Sequence, residues 1–320
     1  MIDSLLEIAL KLSTPQKKHC WMKNNTFALF ALVLVQLFYG VTFTFANDVI
    51  DGGHIQPYGF ILFRVSLATV LFWIFSIWTP KEKIDRTDYP KFIIAAFFGV
   101  ALNMLAFFKG LQFTTPINGS VIMVTTPIIV LVLSAFILGE KIRKIKVLGI
   151  FMGLSGALIL SVYNRSTSSG DNVLLGNFLV LINAASYSYY LILIKKLTNK
   201  YHPYTFIKWL FLFGTFFVLP FGYTELAAVN WGSFTPYVWF SISFVVVCAT
   251  FATYLLNPLA LQKLSATTVS TFVYIQPVFA GIFAILMGSD NLNAVKVVAA
   301  TLIFLGVYLV SKNPTLQTTK

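Results

Sequence analysis

The chain has 320 residues, 58% hydrophobic and 16% aromatic, with only 11% charged and a mean hydropathy of +0.81. A water-soluble domain carries roughly 25% charged residues, so this chain lacks the means to coat a water-facing surface and belongs in lipid. The 23 Lys and Arg against 11 Asp and Glu give a formal charge of +12, which suits nucleic-acid binding unless the cations gather on one side of a membrane.

Residues 1–25 show no signal-peptide pattern, because Asp3 and Glu7 interrupt the apolar stretch. Ile2, Leu5, Leu6, Ala9 and Leu12 recur at helical spacing, which fits a short interfacial helix or a tail. Apolar runs then predict ten membrane-spanning helices over 26–47, 57–79, 92–113, 117–138, 145–163, 173–194, 204–224, 236–256, 264–288 and 293–311. Only Thr114, Thr115 and Pro116 separate the third and fourth, which predicts an antiparallel pair with a tight turn. Residues 312–320 form a second tail.

With the N-terminus in the cytoplasm, the inside connections and tails collect Lys11, Lys17, Lys18, Lys23, Lys81, Lys83, Arg86, Lys91, Lys141, Arg143, Lys144, Lys146, Lys195, Lys196, Lys200, Lys263, Lys312 and Lys320. The outside connections hold Arg165 and Lys296. This bias predicts both termini inside and turns the excess charge into a topology signal, so no nucleic-acid partner is expected. Arg64, Lys109 and Lys208 remain, the last at a cytoplasmic helix end. Cys20 and Cys248 suggest neither a disulfide framework nor a metal cluster.

Sliding the chain on itself by 150 residues superposes 106–161 on 256–311 without a gap. Pro127 falls on Pro277, Gly156 on Gly306, and Gly139-Glu140 on Ser289-Asp290. Earlier helices align at an offset of 146, with Pro57, Tyr58 and Phe60 over Pro203, Tyr204 and Phe206. The chain therefore reads as two five-helix repeats, 27–161 and 173–311, with a seam at Ser168-Ser169-Gly170. Because five is odd, the second repeat is expected to enter the membrane from the opposite side, as in carriers that work by alternating access.

Tyr39-Gly40 in the first helix, Arg64 in the second, and the stretch Gly110-Leu111…Thr126-Pro127…Leu138-Gly139-Glu140 resemble the ten-helix drug/metabolite transporters built from two EamA domains. The resemblance covers about 27–311, although Gly288-Ser289-Asp290 replaces the second glycine-glutamate. It implies efflux or exchange of small metabolites across the cytoplasmic membrane of a prokaryote, with no substrate carried over.

Arg64 lies about seven residues into its helix, where a cation costs at least about 2.5 kcal/mol and must face protein or water. It either pairs with an anionic solute or ties down carbonyls. Lys109 lies nearer its helix end, where it lines the same cavity or snorkels outward. Polar stripes run along four helices: Gln36, Tyr39 and Phe43; Asn183, Tyr187 and Tyr190; Thr250, Tyr254 and Asn257; Thr267, Thr271 and Tyr274. Together with Asn103 they predict an inward-facing polar pathway, or interhelical hydrogen bonds. Pro127 and Pro277 mark hinges or static kinks, with Thr126 and Gln276 beside them. Glu140 reads as a structural ion-pair position, and Gly149, Gly153 and Gly156 as a close-packing face, with a homodimer left open.

No phosphate loop, dinucleotide fingerprint or nucleophile motif occurs, and His19, His54 and His202 have no ligand-spaced partners, so neither catalytic residue, cofactor nor metal is expected. The expected function is secondary, ATP-independent transport of a small organic solute. A lipid-acting membrane enzyme and a non-transporting structural or sensory protein are the alternatives.

Overall fold

A computed structural model describes residues 25–79, 81–114, 119, 122–162, 172–286 and 293–312. The expected tails over 1–24 and 313–320, the seam at Ser168–Gly170, Thr115-Pro116, Arg165, Ser289-Asp290 and the Phe43 side chain lie outside the described residues. Among the described residues there is helix and no strand. We label the rods α1 (Asn25–Asp51), α2 (Pro57–Phe75), α3 (Arg86–Phe113), α4 (Thr126–Leu138) and α5 (Lys144–Val162). The second half contributes α6 (Val173–Thr198), α7 (Pro203–Ala227), α8 (Pro236–Leu261), α9 and α10 (Ala294–Ser311). α9 comprises Ala266–Thr271, a 3-10 turn Phe272–Ile275, and Gln276–Leu286.

By length and composition, eight described helices are apolar enough to cross a membrane, and α4 is a shorter apolar helix. The outer surface is apolar, with Phe136 85% and Leu174 82% exposed, as a lipid solvent requires.

Proline sets several boundaries. Pro57, Pro90, Pro203 and Pro236 occupy the first turns of their helices, where the missing N–H costs nothing. Pro127 stands there too: helical Ile122 and Met123 of the expected 117–138 span give way to a turn at Val124-Thr125, where the Thr125 hydroxyl donates to the Ile122 carbonyl at 2.6 Å, and α4 resumes from Thr126. Pro277 likewise follows the 3-10 turn of α9. Both candidate hinges thus stand at helix interruptions rather than inside continuous helices.

The halves meet chiefly through two pairs of repeat mates, α2 with α7 and α5 with α10. α2 runs antiparallel to α7: Gly59 meets Glu225, the Thr69 and Thr215 hydroxyls lie 2.9 Å apart, and the Phe75 ring packs on Tyr204. Thr69 and Thr215 are separated by 146 residues, the repeat offset itself. α5 and α10 also run antiparallel, with Gly149 against Gly306 and Gly156 against Ala299. Adding 150 to 149 and 156 gives 299 and 306, so the two contacts exchange under the repeat. The pairs α3·α6 and α8·α1 exchange in the same way, as do α4·α6 and α9·α1.

Between apolar helices in lipid the hydrophobic drive is weak, and small residues that allow backbone approach supply the packing. A Cβ on Gly306 would lie 2.5 Å from the Gly149 carbonyl, while one on Gly281 meets nothing within 4 Å. Gly306→Leu should therefore lower unfolding stability in detergent by about 1–3 kcal/mol. Gly281→Ala should leave it unchanged or raise it by up to about 1 kcal/mol. Thermal melts of both variants beside the parent protein measure the contrast.

Candidate functional site

α3 and α8 each widen into a π-helical turn, Phe97–Ala101 and Val247–Ala252, at the repeat offset of 150. Such turns loosen the backbone ladder and accompany functional sites. In α3, side chains from the other half engage the turn: the Ser186 hydroxyl donates to the Phe98 carbonyl at 2.6 Å, and the Tyr254 hydroxyl to the Gly99 carbonyl at 2.8 Å. The Tyr190 ring lies directly on Gly99, where a Cβ would come within 2.2 Å of it. Glycine is required there by contact.

Around this floor the structure gathers a polar cluster from four helices. Arg64 (α2) lies within electrostatic reach of Tyr39 (α1) and Tyr254 (α8), and Tyr187 and Tyr190 (α6) reach both phenols. The Tyr190 ring centroid is 6.0 Å from Tyr187 and 6.1 Å from Tyr254. Tyr39 lies beside Thr253, and Tyr254 packs edge-on against Phe211 at 4.8 Å. Arg64 Nη2 contacts Met104 Sδ at 3.3 Å, and its buried Nε has no hydrogen-bond partner. Met104 and Tyr254, which flank the guanidinium, are repeat mates at an offset of 150. Arg64 stands five residues from Thr69, about 7.5 Å along the helix from the point where the mates touch.

Buried unpartnered polar atoms recur on the same stripes: Gln36 Oε1, Asn183 Oδ1 and the Tyr190 hydroxyl, on residues 1%, 3% and 2% exposed. Asn183 Nδ2 donates to the Asn103 carbonyl at 2.7 Å, and Asn103 Nδ2 answers to the Asn183 carbonyl at 3.5 Å. Asn257 is buried on α8.

Other expected residues stand apart. Lys109 is exposed, donating to Gln112 at 3.1 Å and lying over the Phe113 ring, because its flexible stem follows the helix surface outward. It does not join Arg64. Thr271 folds back onto its own helix through the Thr267 carbonyl, and the Tyr274 ring packs on Gly153 of α5. Their stripe is buried, but against α4 and α5.

Glu140, expected at a structural ion-pair position, lies within electrostatic reach of Lys146 and Lys195 and also caps a helix. Its carboxylate accepts from the Ala266 N–H at 3.1 Å and the Thr267 hydroxyl at 2.9 Å, capping α9. The buried Lys195 donates to the Leu261 and Leu264 carbonyls at the end of α8, and the buried Lys146 to Ser265 Oγ at 3.1 Å. Lys146 and Lys195 are therefore interior tethers of the α8–α9 turn rather than solvated loop cations. Nearby, Lys200 binds Asp85 and Asp88, and Tyr201 donates to Asp88 at 2.7 Å, joining the α2–α3 and α6–α7 connections. These hydrogen bonds hold the Lys200 ammonium above its usual range.

Met104, Thr253 and the paired π-turns escape a stripe search, since methionine and an irregular turn carry no polar periodicity. Projecting Tyr254 back by 150 residues finds Met104. Tyr254→Phe removes the hydrogen bond to Gly99 while keeping the ring on Phe211. Chemical unfolding in detergent should show a loss of about 1 kcal/mol.

A profile of the EamA-like transporter family matches residues 26–162 and 174–312. The chain is 25% identical over 290 residues to a protein of Archaeoglobus fulgidus named as an uncharacterized transporter, covering 90% of this chain and 98% of that one. It is 24% identical over 284 residues to the transporter YyaM of Bacillus subtilis, covering 86% and 90%. A solved crystal structure superposes with a TM-score of 0.74 at 13% identity, over 92% of this chain and 99% of that one, which concerns the fold alone. With paired repeats, apolar multi-pass helices and two family matches that together span most of its length, the chain belongs to the EamA-like transporter family.

Proposed function

We propose that the protein is a secondary transporter that moves a small organic anion across the cytoplasmic membrane by alternating access between two inverted five-helix halves. Arg64 carries the reading. A guanidinium whose Nε is buried and unpartnered, set among phenols near the junction of the halves, attracts a carboxylate or phosphate far more strongly than it would in water. Among the described residues no carboxylate forms an ion pair with it. The tyrosine faces and hydroxyls around it suit an organic body with a few polar groups.

The antiparallel pairing of α2 with α7 and of α5 with α10 supports the inverted arrangement. Helices that lie antiparallel to their own repeat mates are related by an axis across the bundle rather than along it. Alternating access follows from such a relation, because exchanging the conformations of the halves converts an opening on one side into an opening on the other. The basic connections support ten spans with both termini in the cytoplasm.

Flux into proteoliposomes over a panel of organic anions, neutral metabolites and cationic drugs tests the reading. Saturable uptake restricted to anions is expected. Arg64→Gln should weaken apparent affinity about 10–100-fold without changing the melting profile, matching the loss of one or two charge-assisted hydrogen bonds. Preference for cations, or wild-type kinetics in Arg64→Gln, would overturn it. Single cysteines at 165 and 296 should label from the side opposite a cysteine at 144, and labelling of all three from one side would end the inverted arrangement.

A further inference from the structure

The protein surrounds Arg64 with dipoles, and among the described residues it supplies no carboxylate to balance the charge. The guanidinium faces the Met104 sulfur from α3, the Tyr39 phenol from α1 and the Tyr254 phenol from α8. Among the described residues the acids of the neighbouring elements are occupied elsewhere, Asp48 of α1 by the Tyr237 hydroxyl at 2.6 Å. Glu225 accepts from the Gly59 N–H at 2.8 Å, five residues or about 7.5 Å along α2 from Arg64, Glu140 caps α9, and Asp88 holds Lys91, Lys200 and Tyr201. Lys109 lies on the exposed side of α3, so the cluster contains one cation.

We infer that the protein is an obligate, electroneutral exchanger of organic monoanions, in which Arg64 forbids the empty carrier from changing sides. The inference rests on the transport reading above. Alternating access requires a state in which the central cluster is sealed from both aqueous phases. Sealing it around an unbalanced guanidinium strips a charge of water and offers no partner, whereas sealing it around a guanidinium-carboxylate pair encloses a neutral unit. The loaded carrier therefore crosses readily and the empty one does not, which couples each outward anion to an inward one. One cation accommodates one negative charge, so the loaded unit is neutral and the exchange moves no net charge.

Chloride-free proteoliposomes test this with radiolabelled L-lactate, pyruvate, benzoate and L-glutamate as probes. Initial uptake into vesicles preloaded with the same unlabelled anion should exceed uptake into sucrose-loaded vesicles by at least about tenfold, a factor within the cost of burying an unbalanced cation. A potassium-valinomycin potential of either sign should leave the exchange rate unchanged. Equal uptake into anion-loaded and sucrose-loaded vesicles, or uptake driven by the potential, overturns the inference and leaves transport intact. Saturable flux of no probe under any loading overturns the transport reading itself. Arg64→Lys, which keeps the charge, should keep the loading ratio with weaker apparent affinity, and loss of that ratio overturns the role assigned to the charge. Arg64→Met should abolish exchange or carry flux without the need for a counter-anion. Retained dependence on the counter-anion in Arg64→Met would overturn it.

Discussion

Direct pairing of repeat mates across the junction is the contact on which the rest of this structure depends. α2 lies along α7 and α5 along α10, each antiparallel to its own counterpart, with Thr69 bonded to Thr215 and Gly149 seated on Gly306. In lipid there is little hydrophobic gain in bringing two leucine-covered helices together, so the approach relies on van der Waals contact, small residues and hydrogen bonds. That explains why glycines and a threonine pair stand at the closest approaches of the halves, with buried rings such as Phe72 and Phe211 packing beside them. It also places the π-turn of α3 beside the junction, where its Phe98 and Gly99 carbonyls receive the Ser186 and Tyr254 hydroxyls from the opposite half.

On this nearly symmetric frame the chemistry is one-sided. The repeat mate of Arg64 at an offset of 146 is Leu210, fully buried and apolar. Tyr254 faces the guanidinium from one half and its mate Met104 from the other. Symmetry of the backbone serves interconversion between two arrangements, whereas a ligand needs only one charge. A second arginine in the mate position would place two cations in one desolvated space, at a cost that like charges in low dielectric make steep.

Several of the remaining charged groups do structural work at helix ends. Glu225 accepts from the first turn of α2, Glu82 accepts from the His202 N–H and the Thr205 hydroxyl at the start of α7, and Glu140 caps α9. Each places an anion where free N–H groups and the helix dipole favour one. The first two follow the repeat, since α2 and α7 are mates and each is capped by an acid from the far end of the other or its connection. Lys195 performs the converse task at the carbonyl end of α8. Such caps fix the connections, and among the described residues no carboxylate pairs with the central arginine.

Composition and periodicity alone determined that the chain is helical, lives in lipid, repeats itself, and hides polar stripes on four helices, because lipid forbids charges and unpaired backbone over any length of about 20 residues. Arg64 was legible for the same reason, as a cation where lipid tolerates none. The stripes could not say which of them share a space: Tyr274 looks inward like Tyr187 and Tyr190, yet packs on α5 rather than beside the arginine. Nor could the cation count separate Lys146 and Lys195, which are buried tethers, from loop lysines, because sequence position near a helix end is common to both. Only tertiary packing decided these matters, along with the π-turns and the Met104 contact, since a helix face acquires a role from the neighbour that covers it and that neighbour lies far along the chain, as Tyr254 lies 155 residues from Gly99.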